Sequence, residues 1–67
     1  MYKVWILGVG ERTYATNGRD FDTIEEARKY GNDLLSRWYG ADSFVVLPMR
    51  DEFCGLLSQE TVDANKV

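Results

Sequence analysis

Residues 2–8 limit the fold more than any other segment, because they are apolar on both sides of an extended backbone. Their sequence, YKVWILG, is rich in β-branched and aromatic residues and predicts a strand. Its alternate side chains divide into two faces, one with Tyr2, Val4 and Ile6 and the other with Lys3, Trp5, Leu7 and Val9. Such a strand is expected at the centre of a sheet that is covered, at least partly, on both faces.

Glycines predict the connections that follow this strand. Gly8 and Gly10 can supply the positive φ angles of a hairpin that leads into a second strand at about residues 11–16. Asn17 and Gly18 then favour a turn that ends the second strand. The first two strands are therefore expected to pair as a hairpin.

A helix is predicted from Thr23, because Thr23 and Glu26 have the spacing of a capping box. Apolar residues then recur at helical spacing along one stripe, formed by Ile24, Ala27, Gly31, Leu34, Leu35 and Trp38. Gly31 costs helix stability, and a close approach of the helix to the sheet would explain it. Gly40 is expected to end the helix in a left-handed conformation.

The third strand is predicted in SFVVLPMR, residues 43–50, and because Pro48 has no amide donor the strand should either lie at an edge of the sheet or end at the proline. A right-handed crossover would make it parallel to the first strand. The fold class is thus α+β: one ββαβ domain, residues 1–58, with a three-stranded mixed sheet in the order 2-1-3 and one helix on one face. Residues 52–57, EFCGLL, either add a short fourth strand or fold over an edge, and residues 59–67 are expected to form a polar, frayed tail.

One helix can cover only one face of this sheet. The other face carries either Trp5 and Leu7 or the opposite set of β1 side chains, and whichever set is turned away from the helix would need another partner. Because burial of apolar surface is worth about 25 cal/mol per Å², we expect a homo-oligomer with Trp5 and Leu7 at the interface.

Composition argues against several classes of function. The 67 residues contain no histidine and one cysteine, Cys54, so a zinc site or a Cys-His nucleophile cannot be assembled within one chain. We therefore expect no enzymatic activity and no cofactor. The net charge is −3 and the basic residues are scattered, which disfavours general nucleic-acid binding. The longest apolar run, Val4–Leu7, is too short to span a membrane, and a cytoplasmic location is expected.

Three weak motifs have simpler explanations. GVG, residues 8–10, lacks the third glycine of a dinucleotide-binding loop, since position 13 is Thr13. Asp51 and Glu52 are adjacent and would point apart, so they do not form a pair of catalytic carboxylates. The acidic residues near the helix start lack the spacing of a calcium loop and suit the helix dipole instead; they are Asp20, Asp22, Glu25 and Glu26.

Arginine and aromatic residues form the candidate binding set. Arginine recognises phosphate or carboxylate with two parallel hydrogen bonds, and aromatic rings stack on bases. The candidate residues are Arg12, Tyr14, Asn17, Arg19, Arg37, Trp38 and Arg50. The alternative is that Tyr14 and Trp38 belong to the core and that the arginines are solvated.

Residues 2–47 contain a YxTNGxxF turn, a TxEEAxxYxxDLxxRW helix and a closing valine-rich strand. In these features the chain resembles small, mostly uncharacterised proteins encoded by bacteriophages and prophages. Small accessory phage proteins often act by binding, either as inhibitors of host defence proteins or as oligomers that sequester nucleotide signals. The resemblance supplies no catalytic residue.

Two functions follow as expectations. The first is a non-enzymatic accessory protein that sequesters a small anionic nucleotide in the host cytoplasm. In it the arginines would pair with phosphate, Tyr14 or Trp38 would stack, and Asn17 would donate a hydrogen bond. The second is a protein–protein inhibitor that binds a host protein through its sheet face or edge.

Overall fold

The computed structural model describes residues 1–53 and 55–66, except for the side chain of Asn17. Its elements are β1 (Tyr2–Gly8), β2 (Thr13–Phe21), α1 (Ile24–Arg37), β3 (Ala41–Pro48), β4 (Leu57–Ser58) and α2 (Gln59–Asn65). The four strands form one sheet in the order β3-β1-β2-β4. The α+β class, the central position of β1 and the edge position of β3 are therefore confirmed. The predicted segment around Cys54 lies partly outside the described residues.

The sheet is antiparallel throughout, so the expected parallel pairing of β1 with β3 is wrong. Val4 lies opposite Val46, and Gly8 at the end of β1 lies opposite Ala41 at the start of β3. The 14 residues of α1 rise about 21 Å, close to the length of one seven-residue strand. Because α1 crosses the sheet once after β2, it returns the chain to the end where β1 finishes, and β3 must run the opposite way.

β2 runs straight through the Asn-Gly pair that was predicted to end it. Lys3 lies opposite Asp20 and Trp5 lies opposite Thr16, so three residues of β2 face one residue of β1 and form a bulge. Gly18 has a φ of 82° within this bulge, and its carbonyl oxygen accepts a hydrogen bond from the Lys3 ammonium at 2.9 Å. The positive φ expected of a turn therefore serves a bulge in a continuous strand.

The predicted hairpin between β1 and β2 is confirmed. The Glu11 amide donates to the Gly8 carbonyl oxygen at 3.0 Å, and Gly10 has a φ of 79°. Gly40 does not end α1 in a left-handed conformation, because the helix ends at Arg37 and Trp38 is its C-cap. The amide of Trp38, which is extended, donates to the Leu34 carbonyl oxygen at 2.9 Å.

α1 covers one face of the sheet and begins at the predicted cap. The Thr23 hydroxyl accepts a hydrogen bond from the Glu26 amide at 3.1 Å. Gly31 is buried against β3, where an added Cβ would overlap the ring of Phe44. This confirms the predicted close approach of the helix to the sheet. The core on this face consists of Val4, Ile6, Phe21, Ala27 and Val46.

The opposite face is covered by α2, where the sequence predicted a frayed end. The buried residues of this face are Trp5, Tyr14, Leu47, Leu57 and Val62. Val62 of α2 is 0% exposed, and the Phe53 ring meets the Trp5 ring edge-on at 6.3 Å between centroids. Phe53, Leu57 and Val62, which belong to a largely polar segment, cover this face. Trp5 therefore needs no second chain to cover it, which was the reason for expecting self-association. The oligomeric state itself stays a prediction.

Candidate functional site

An open groove of about 560 Å³ lies beside α1, on the face of the sheet that this helix covers. Ile6 of β1 and Ala15 of β2 lie on neighbouring strands beneath it. The side chains from α1 are Tyr30, Leu34 and Trp38, spaced four residues apart and therefore on one side of the helix. The remaining lining residues are Gly8, Val9, Glu11, Thr13, Thr16, Gly40 and Leu56.

The groove exists because α1 lies to one side of the sheet. The helix packs mainly over β3 and β1 and contacts β2 less. Gly31 allows this placement, since it lets the helix backbone approach Phe44 of the edge strand β3. The first part of β2 is left uncovered on the α1 side, where the small side chains of Thr13 and Ala15 line the groove, whereas Phe21 at the other end of β2 is buried in the α1 core.

Three of the six exposed large apolar side chains that the structure describes line the groove. Val9 is 66% exposed, Trp38 48% and Leu56 64%, and all three line it. Scattered apolar residues are normal on protein surfaces, but a contiguous patch marks a binding surface more often than chance. The volume and the predominantly apolar and aromatic lining are typical of a site for a small molecule.

Among the members of the predicted binding set whose side chains the structure describes, Trp38 alone lines the groove. The described members of the set do not converge on a common site. Arg12 is exposed in the turn before β2, Arg37 pairs with Asp33 at 2.6 Å, and Arg50 pairs with Glu52 at 3.4 Å. The prediction for the Asn17 side chain lies outside the described residues.

Tyr14 and Arg19 have structural roles that the sequence left unexplained. Tyr14 is buried in the core beneath α2, and its hydroxyl donates to Oε1 of Gln59 at 3.1 Å. The Arg19 guanidinium lies over the rings of Phe21 and Tyr30, with its central carbon 5.6 and 5.2 Å from their centroids. Arg19 therefore packs against the outer end of the α1 core, next to the groove that Tyr30 also lines.

Sequence reasoning missed Tyr30, Glu11 and Leu56 as site residues. Tyr30 could have been found from its spacing, because it lies four residues before Leu34 and eight before Trp38 and so shares one side of the helix with them. Nothing in the sequence places Glu11 or Leu56 at this groove. Leu56 reaches it because β4 pairs with the far side of β2, and that pairing depends on tertiary structure.

Within residues 1–53 and 55–66, no three His, Cys, Asp or Glu side chains are grouped so that they could hold a metal ion. Neither helix in the described part of the chain is long and apolar enough to cross a membrane.

Comparison with protein-family models, curated proteins and solved structures finds no match to this chain. The groove is therefore the feature of the protein from which a function can be inferred.

Proposed function

We propose that this chain is a non-enzymatic binding protein that holds a small, largely apolar molecule in the groove between α1 and β2. One observation carries the proposal: three exposed apolar residues, Val9, Trp38 and Leu56, surround one concave site with an apolar floor. A ligand in the groove would remove these side chains from water, which is the main driving force for binding an apolar molecule. The proposal keeps the predicted class of function and places the site elsewhere.

The groove does not favour the anionic nucleotide that the sequence suggested. Glu11 is the one charged residue among the described lining residues, and its carboxylate would repel phosphate. The arginines that would neutralise phosphate lie outside the lining, and two of them are paired with carboxylates. Nucleotide sequestration and a phage origin remain predictions.

Fluorescence of N-phenyl-1-naphthylamine, a neutral apolar dye that brightens outside water, tests the proposal. The wild-type protein is expected to raise and blue-shift the dye emission in a saturable way. Trp38→Ser is expected to weaken dye binding about fivefold, because it removes an aromatic contact worth about 1 kcal/mol. Leu56→Ser is expected to weaken it by a similar factor.

Met49→Ser is the matched control. Met49 is 47% exposed, nearly the same as Trp38, but it lies outside the groove at the end of β3. This variant is expected to bind the dye as the wild type does. A wild-type protein that leaves the dye emission unchanged contradicts the proposal, as does an equal loss in all three variants.

A second candidate function is suggested by the free edge of β3. This eight-residue strand pairs with β1 on one side and is the last strand in the order β3-β1-β2-β4. A protein partner could add a strand there, as the predicted inhibitor would. Such a partner would protect the amides of Phe44 and Val46 from hydrogen exchange. These amides point away from β1, because the Met49 amide donates to the Met1 carbonyl oxygen and amide direction alternates along the strand.

A further inference from the structure

At one end of the groove, Glu11 and Trp38 each lie against a glycine, and the two glycines are neighbours. A Cβ added at Gly8 would lie 2.9 Å from Cγ of Glu11 and 3.2 Å from the carbonyl oxygen of Gly40. A Cβ added at Gly40 would lie 2.9 Å from Nε1 of Trp38. Glu11 therefore lies against Gly8 and Trp38 against Gly40, and these two neighbouring glycines leave room for both side chains at this end of the groove.

The electrostatic character of this end is negative. Glu11 makes no ion pair with any residue that the structure describes. The C-terminal end of α1 lies here as well, and a helix carries a partial negative charge at that end. Arg37 in the last turn is already paired with Asp33, and Arg12 does not line the groove.

Aromatic rings add to the attraction for a cation. The faces of indole rings attract organic cations, and quaternary ammonium groups are the usual ligands of such sites. Trp38 lines the groove at the Glu11 end, while Leu34 and Ile6 continue its lining with apolar surface. The combination suits a ligand with a cationic head and an apolar body.

We propose that the groove binds a small organic cation, with its ammonium group between the Glu11 carboxylate and the Trp38 ring and its apolar part along Leu34 and Ile6. This inference rests on the proposed function, since it names the class of molecule that the same groove takes. It adds a preference of charge, which an apolar groove alone would not have.

Three ligands with the same hexyl chain test this preference: hexyltrimethylammonium, neutral hexanol and anionic hexanesulfonate. Each is titrated into the full chain at concentrations below aggregation, and binding is followed by NMR at the Trp38 indole N–H and the Leu34 methyl groups. Trp5 is the internal control, because its indole is buried on the opposite face of the sheet and should not shift. The cation is expected to bind about threefold to tenfold more tightly than hexanol, and the sulfonate more weakly than hexanol.

Glu11→Gln is expected to remove most of the preference for the cation over hexanol while leaving hexanol binding unchanged. Glu60→Gln is the matched control, because it makes the same substitution at an exposed position of α2 outside the groove. This control should keep the full preference.

The outcomes separate the two proposals. If none of the three ligands shifts Trp38 or Leu34, the proposed function fails and this inference fails with it. If all three bind with equal affinity, the groove binds apolar molecules without the charge preference and only this inference is overturned. Tighter binding of the sulfonate, or a cation preference that survives Glu11→Gln, also overturns it.

Discussion

The two faces of the sheet are covered by helices of unequal length, and the more deeply buried of the two tryptophans lies under the shorter helix. α2 has seven residues, yet beneath it Trp5 is only 1% exposed. α1 has 14 residues and leaves Trp38 and Tyr30 lining an open groove. Coverage therefore depends on where a helix lies over the sheet more than on its length.

The difference has a structural cause at each face. On the α2 face, Leu57 of β4, Val62 of α2 and Phe53 of the segment before β4 pack in one cluster with Trp5. On the other face, contact between Gly31 and Phe44 draws α1 toward the edge strand β3. One arrangement completes a core, and the other leaves a concavity beside it.

Removal of α2 is expected to lower the stability of the protein more than any other change described below. A chain that ends at Ser58 loses Val62, which is fully buried, and uncovers Trp5 and Leu47. We expect the free energy of unfolding to fall by about 3–5 kcal/mol, since burial of each large apolar side chain is worth about 1.5–3 kcal/mol. Urea unfolding followed by tryptophan fluorescence measures this loss.

The same truncation tests the origin of the expected self-association. With the Trp5 face uncovered, the shortened chain should associate with itself, which sedimentation measures. Val62→Ala should lower the free energy of unfolding by only about 2 kcal/mol and keep the oligomeric state of the full chain. A truncated chain as stable as the full one would show that α2 does not cover this face in solution.

Gly31→Ala should have a smaller effect, confined to the α1 face. The added methyl group overlaps the Phe44 ring, and a crowded core substitution costs about 1–3 kcal/mol. The gain in helix propensity returns less than about 1 kcal/mol of this. Thermal unfolding measures the net loss.

Asn32→Ala serves as its control, because Asn32 is the neighbouring residue and is exposed. We expect it to change stability by no more than about 0.5 kcal/mol. Phe44→Leu combined with Gly31→Ala should recover part of the loss, since the smaller side chain makes room. Additive losses in the double variant would mean that the two residues do not touch.

The smallest expected effects come from the two helix caps. Thr23 caps α1 and Ser58 caps α2, each accepting a hydrogen bond from a backbone amide, at 3.1 and 3.3 Å. Thr23→Ala and Ser58→Ala should each cost about 1 kcal/mol of global stability.

Hydrogen exchange should separate the two caps. Because a seven-residue helix has few bonds to hold it, Ser58→Ala should speed exchange most in α2, through local opening, and amides outside α2 should change only by the global loss of stability. Thr23→Ala should affect the amides of α1. Equal exchange rates for α1 and α2 in the wild-type chain would contradict the view that the shorter helix opens more easily.

Local patterns predicted the elements that local interactions decide. The Thr23 cap, the Gly10 hairpin and the close approach at Gly31 each depend on a few neighbouring residues or on one stripe of a helix, and all three are present. The same reasoning gave β1 a central place, because a strand that is apolar on both faces has to be covered twice.

Long-range packing decided what local patterns could not. The Asn-Gly pair favours a turn by itself, but pairing with β1 keeps β2 extended and turns Gly18 into a bulge residue. Residues 59–65 are too polar to predict a core helix, and only the Trp5 face gives Val62 a reason to be buried.

Local sequence patterns were sufficient to predict the α+β class, the order of β3, β1 and β2, and the start of α1, because propensity, capping and alternation act over a few residues. Tertiary structure alone decided the antiparallel direction of β3, the covering of Trp5 and the position of the groove. These depend on which distant surfaces meet. Of the predicted binding residues, Trp38 lines the groove, and it does so because α1 lies over β3 and leaves β2 open.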